Sequence, residues 1–118
     1  MLNLWLPVIA YMAMIFGLSS LSELPSPPAG LSFYGAHVVT YTGLGALTAR
    51  ATGKGARDVS WRAVLAAFVI SSLYGVSDEY HQLFVPGRTF DVLDILADAI
   101  GSAAGASAVG AWSRIRNW

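Results

Sequence analysis

LWLPVIAYMAMIFGLSSL, residues 4–21, is a run of eighteen residues with no charged side chain. As an α-helix rising about 1.5 Å per residue it reaches about 27 Å, close to the roughly 30 Å hydrocarbon core of a bilayer. Pro7 lies in its first turns, where a helix tolerates proline. The three residues ahead of the run, Met1-Leu2-Asn3, carry none of the Lys or Arg of a signal-peptide n-region, and Ser20-Leu21-Ser22 is a poor small-x-small cleavage site. A retained helix, and not a cleaved signal, is therefore expected.

The rest of the chain is built the same way. It has 118 residues, expected to form a single domain over 1–118, with 55% hydrophobic and only 12% charged residues and a mean hydropathy of +0.56. That charged share is about half of what an average soluble domain carries. A small soluble domain leaves much of its surface wet, and this composition cannot supply the polar shell. It also argues against a disordered chain, against a disulfide scaffold, since there is no cysteine, and against a basic nucleic-acid binder, since seven Lys+Arg balance seven Asp+Glu.

Outward from the first run, residues 23–30 (ELPSPPAG) hold three prolines and a terminal glycine, so a helix cannot continue and the chain must reverse. A second apolar run over 31–49 includes His37, Thr40, Tyr41 and Thr42. Residues 50–62 (RATGKGARDVSWR) place four basic residues against one Asp, a solvated loop. A third run from Trp61 meets Asp78, Glu79, His81 and Gln82 before Pro86-Gly87 turns the chain, and a fourth follows Asp91 with Asp94 and Asp98 inside it. The expected fold is an all-α polytopic membrane protein, a four-transmembrane-helix bundle with helices over 4–22, 31–49, 61–84 and 91–112. Short basic loops stay cytoplasmic. Four spans put Arg50, Lys54, Arg57, Arg62, Arg114 and Arg116, six of the seven basic residues, on one side. Both termini and the 50–62 loop are thus expected in the cytoplasm, and the acidic residues, Asp58 apart, at the outer ends.

An ionisable group inside a bilayer costs about 2.5–3.5 kcal/mol on insertion scales, so it faces the protein interior or a wet cavity and marks a candidate site. At 100° per residue Asp91, Asp94 and Asp98 share one arc of the fourth helix, continued by Ser102 and Gly105. Asp91 suits an N-cap or a partner for Arg88; Asp98 lies beyond capping range. Gly101 and Gly105 form a small-xxx-small pair that admits a neighbouring backbone, within the chain or between two copies, which leaves a homodimer open. On the third helix Asp78 and Gln82 stack at i, i+4 and Glu79 and Gln82 at i, i+3, with His81 flanking Asp78 on the other side. His37 and Tyr41 on the second helix sit level with them. Carboxylates so close cannot all stay ionised cheaply in a low dielectric: they share protons, bind a cation, or are offset by Arg88.

The stretch from Tyr74 to Asp94 combines the acidic pair Asp78-Glu79, then Gln82, the turn Pro86-Gly87-Arg88, and Asp91-x-x-Asp94 opening a helix ahead of Gly101-xxx-Gly105. It resembles the signature of VanZ-like membrane proteins. His37, Tyr41, Leu44 and Gly45 are similar to that family's His-xxx-Tyr-xx-Leu helix. Ser32-Phe33-Tyr34 stands where the family often has a lysine, and Asp98 where it often has asparagine, so this site is the more acidic. The resemblance implies a multi-pass protein of the bacterial plasma (inner) membrane, in a family named for a protein associated with low-level resistance to teicoplanin, a lipoglycopeptide acting on cell-wall precursors at the outer face.

Three functions fit these residues. In the first, an envelope factor binds a lipid, cell-wall precursor or lipoglycopeptide through Arg88, Gln82, Asp91, Asp94, Tyr41, His81 and Asp98 and contributes to glycopeptide tolerance. In the second, a membrane enzyme uses Asp78 or Glu79 as base and His37 or His81 as acid, with a divalent cation on Glu79, Asp91 and Asp94. The third is a proton or ion pathway along the Asp94/Asp98 face.

Overall fold

A computed structural model describes residues 1–22 and 32–116. Among them there are four α-helices and no strand: α1 (Leu2–Ser19), α2 (Phe33–Thr52), α3 (Trp61–Gln82) and α4 (Val92–Ile115). The reversal expected over residues 23–30 lies outside the described residues.

Local chemistry sets the helix starts. Ser32 and Ser60, in extended conformation, accept the N–H of Gly35 at 2.9 Å and of Ala63 at 3.1 Å, and Asp91 accepts that of Leu93 at 2.9 Å. These side chains satisfy amide donors that the first helical turn leaves orphaned. α2 stops at Gly53, after which Lys54 and Gly55 take φ of +58° and +121°. α3 ends at Gln82, two residues earlier than expected, because residues 83–90 form the turn in which Gly87 takes a φ of +79° that favours glycine. α4 runs three residues beyond the expected 112, through Trp112 to Ile115, since nothing before Arg116 breaks it.

α2 and α4 form the most extensive interface, α3 covers both, and α1 lies with its backbone nearest α2 while its side chains also engage α3. Glycine makes the central interface possible. A Cβ at Gly101 would run into the Val38 carbonyl oxygen and stand 3.0 Å from the Thr42 nitrogen; one at Gly105 would collide with the Thr42 carbonyl oxygen. Gly45 answers from α2, facing the Ser102 backbone. The small-xxx-small pair of α4 is therefore spent inside the chain, on α2.

The distribution of side chains inverts that of a water-soluble protein. Along α3, Trp61, Leu65, Val69, Leu73, Val76 and Tyr80 are all exposed, a continuous apolar stripe, while Ser71, Asp78, Glu79 and Gln82 are buried. On α4, Leu93, Leu96, Ile100, Trp112 and Ile115 face outward, and Asp98, Ser102 and Ser113 face inward. The α1 and α4 helices are each long and apolar enough to cross a membrane.

Candidate functional site

Three helices deliver the ionisable residues to one end of the bundle. The tightest contact joins α2 to α4: His37 Nδ1 lies 2.6 Å from Asp98 Oδ1, and His37 Nε2 lies 3.9 Å from Asp94 Oδ2. Asp98 is 1% exposed and fits because α3 offers Gly75 opposite it; a Cβ there would stand 2.8 Å from Asp98 Oδ2. A turn further along α2, the Tyr41 ring lies parallel to His37, with centroids 6.4 Å apart. Its hydroxyl is in the electrostatic field of Asp98, Asp78 and Glu79.

Glu79 on α3 is wholly buried and reaches the start of α4, where Oε2 accepts the Asp91 N–H at 2.7 Å. Asp91 is itself the α4 N-cap and accepts the Tyr34 hydroxyl at 2.7 Å on its other oxygen. The Asp94 carboxyl, one turn into α4, neighbours Glu79. Asp78 turns the other way, toward α1, and accepts the Ser19 hydroxyl at 2.7 Å.

Arg88 does not pair with Asp91. From the α3–α4 turn its guanidinium donates to Gln82 Oε1 at 2.9 Å and to the Leu21 and Ser19 carbonyls at 3.0 and 3.5 Å. It thereby occupies the C-terminal end of α1, where unpaired carbonyls and the helix dipole favour a cation. The group is partly exposed, and its charge acts on Asp94. His81 also serves α1: its ring stacks on Phe16, centroids 4.5 Å apart, and its Nε2 lies 3.1 Å from the Ser20 hydroxyl. Of the expected residues, His37, Tyr41, Asp78, Glu79, Gln82, Asp94 and Asp98 come together, with Asp91 and Arg88 at the rim, while His81 faces α1.

The site has a buried floor and a partly exposed rim. On the floor, Tyr41 Oη, Asp98 Oδ2 and Ser102 Oγ are buried with no hydrogen-bond partner, while the Asp78 carboxylate lies within hydrogen-bonding reach of the Gln82 amide and Glu79 within reach of Asp94. Each such atom costs about 1–3 kcal/mol unless something polar meets it. Among the described residues no three His, Asp or Glu side chains are placed to hold a metal ion together. Below Ser102 the face of α4 continues with glycine and alanine, with no ionisable residue before Arg114.

Sequence reasoning missed Ser19, Tyr34 and Gly75 as parts of the site. Ser19 and Tyr34 contribute single hydroxyls across 59 and 57 residues of chain, a partnership that leaves no local signal. Gly75 carried one: a glycine within a helix, one turn before Asp78-Glu79, where alanine would cost less unless space were needed.

The family model described as VanZ/LLP1 matches residues 4–113 of the chain. No curated protein sequence and no solved structure matches it.

Proposed function

The chain belongs to the VanZ/LLP1 family, and from that premise we propose that it is a four-span protein of the bacterial plasma membrane that binds the polar head of an envelope lipid, cell-wall precursor or lipoglycopeptide at an outward-facing acidic and arginine-containing site. Through that binding it contributes to glycopeptide tolerance. Four spans are supported by the apolar stripe along α3 and by the lengths of α2 and α3, about 30 and 33 Å at 1.5 Å per residue. With both termini cytoplasmic, the 50–62 loop, Arg114 and Arg116 obey the positive-inside rule, and Trp61 and Trp112 stand at the inner interface.

The observation that carries the binding reading is the group of unpartnered polar atoms gathered on the floor of the site. Leaving Tyr41 Oη, Asp98 Oδ2 and Ser102 Oγ desolvated is costly unless a polar group enters, and the partly exposed Arg88 at the rim suits a phosphate or carboxylate. The test is extraction of the wild-type protein and Arg88→Ala into polymer-bounded native discs, followed by mass spectrometry of what each retains. A phosphate-bearing lipid or precursor enriched by the wild type over the bulk membrane and lost in the variant is the expected result. Equal retention by the two, with teicoplanin susceptibility also equal, would refute the reading.

A second reading rests on the His37–Asp98 contact. A buried carboxylate holding Nδ1 orients the imidazole and leaves Nε2 toward Asp94 as an acid or base, as an enzyme acting on an envelope lipid requires. Lipid turnover abolished by His37→Gln while retention persists would establish it.

A further inference from the structure

The end of the bundle away from the acidic site carries Arg50, Lys54, Arg57, Arg62, Arg114 and Arg116, and Asp58 is the one acidic side chain in residues 50–62 and 113–116. Cross-contacts gather these segments into one surface. The Thr52 hydroxyl donates to the Ala63 carbonyl at 2.8 Å, the Val59 N–H donates to Ser113 Oγ at 3.2 Å, and the Arg114 guanidinium lies 4.1 Å above the Trp61 ring.

Two of the cations serve the fold itself. Arg50 and Arg114 stand in the last turns of α2 and α4, where the helix dipole favours positive charge, and Arg114 also donates to the Gly110 carbonyl at 2.8 Å. Two others are placed against local preference. Arg62 is exposed in the first turn of α3, the positive end of that dipole, and the turn holds no acidic side chain to offset it. Lys54 is exposed and takes a φ of +58°, a backbone conformation that glycine adopts freely and a side chain resists; Gly53 and Gly55 flank it, yet the residue there is a lysine. Neither capping nor turn geometry accounts for these charges, so their role lies outside the chain, with an anion.

We propose that this end of the bundle is a docking surface for anionic phospholipid of the cytoplasmic leaflet, with Lys54 and Arg62 among the cations that hold its phosphate headgroups. The proposal rests on the membrane orientation given above and is independent of what the acidic site binds. Depth and chemistry support a lipid as the partner. Exposed tryptophans gather at the headgroup level of a bilayer, and Trp61 is 61% exposed, so Arg62 next to it and Arg114 over its ring lie at the height of the phosphates. Trp112 and Ile115 are exposed beside the same cations. A lipid surface matches charge and apolar area together, whereas an acidic protein or a nucleic acid in water matches the charge alone.

The experiment reconstitutes the full chain in nanodiscs of equal parts phosphatidylglycerol and phosphatidylethanolamine, re-extracts it in neutral detergent, and counts the retained phospholipid by mass spectrometry. An excess of phosphatidylglycerol is expected at low salt and should fade at about 1 M, where the screening length is about 3 Å. Lys54→Gln/Arg62→Gln is expected to cut the excess about fivefold for each charge removed, and Lys54→Arg/Arg62→Lys to keep it, because a leaflet reads charge. Both side chains are exposed, and melting curves report the folding of each variant. Equal retention of the two lipids overturns the proposal, as does an excess that the double glutamine variant keeps or that 1 M salt leaves intact. An excess lost in Arg88→Gln and kept in the double variant puts the lipid at the acidic site and overturns it too. Thiol labelling of Lys54→Cys from outside the cell sinks the orientation and this surface together; labelling from the cytoplasm without an excess of phosphatidylglycerol sinks this inference alone.

Discussion

Gly105→Ala, a single added methyl, is expected to strain the centre of the fold, and Gly17→Ala provides its control. At Gly105 the new Cβ would collide with the Thr42 carbonyl oxygen and stand 2.8 Å from the Ala46 nitrogen. Both are backbone atoms of a neighbouring helix, so no rotamer change relieves the contact and α2 and α4 must separate. Overpacking of this kind costs about 1–3 kcal/mol. At Gly17, on the exposed face of α1, nothing lies within 4 Å of the added atom. Both substitutions gain the same helix propensity, up to about 1 kcal/mol. That term cancels in their difference, leaving Gly105→Ala less stable than Gly17→Ala by about 1–3 kcal/mol, or roughly 5- to 150-fold in the folding equilibrium. The four tryptophans allow equilibrium unfolding in mixed micelles to be followed by fluorescence. A Gly105→Ala protein as stable as Gly17→Ala would refute the close α2–α4 approach, and with it the alignment that brings His37 to Asp98.

Other perturbations test the remaining contacts. Asp98→Ala leaves His37 Nδ1 without its partner, and a polar group orphaned in this way costs about 1–3 kcal/mol; the double variant with His37→Ala should cost less than the sum of the singles, and strict additivity in micelle unfolding would deny the coupling. Tyr11→Phe and Tyr74→Phe each remove a hydroxyl that ties α1 to the bundle, to the Thr40 carbonyl at 2.6 Å and from α3 to the Met12 carbonyl at 2.5 Å. Each is expected to cost about 0.5–1.5 kcal/mol and to speed hydrogen exchange in α1 more than in α4; uniform exchange across the helices would contradict this. For topology, Lys54→Cys should react with an impermeant thiol reagent only once the cytoplasmic face is opened, and Thr89→Cys in intact cells; the reverse labelling would invert the proposed orientation.

Much of the site was legible because a helix repeats its geometry. The 100° step alone places Asp91, Asp94 and Asp98 on one face, and the structure has Asp98 and Asp94 both against His37. Capping was equally local: an aspartate just ahead of an apolar run reads as an N-cap, and Asp91 is one. Arg88 was the less readable residue. Its nearest acids in sequence suggested a partner in Asp91, yet it crosses to the end of α1, because unpaired carbonyls at a helix C-terminus attract a cation however distant in the chain. His81 was grouped with Asp78 by spacing alone, while stacking on Phe16 turned it toward α1.

Composition and periodicity by themselves determined that the chain is helical, that its scarce charges divide between two ends, and that ionisable side chains of three helices lie at the acidic end. These follow from one-dimensional rules: the cost of charge in an apolar medium, and the fixed angle between successive side chains. Which helix receives the glycines of α4, which acid takes His37, and which polar atoms go without partners depended on how the helices approach one another. Those outcomes were decided only in the tertiary structure, because Gly45, Gly75, Gly101 and Gly105 act by the space they leave, and space exists only once a second backbone stands on the other side.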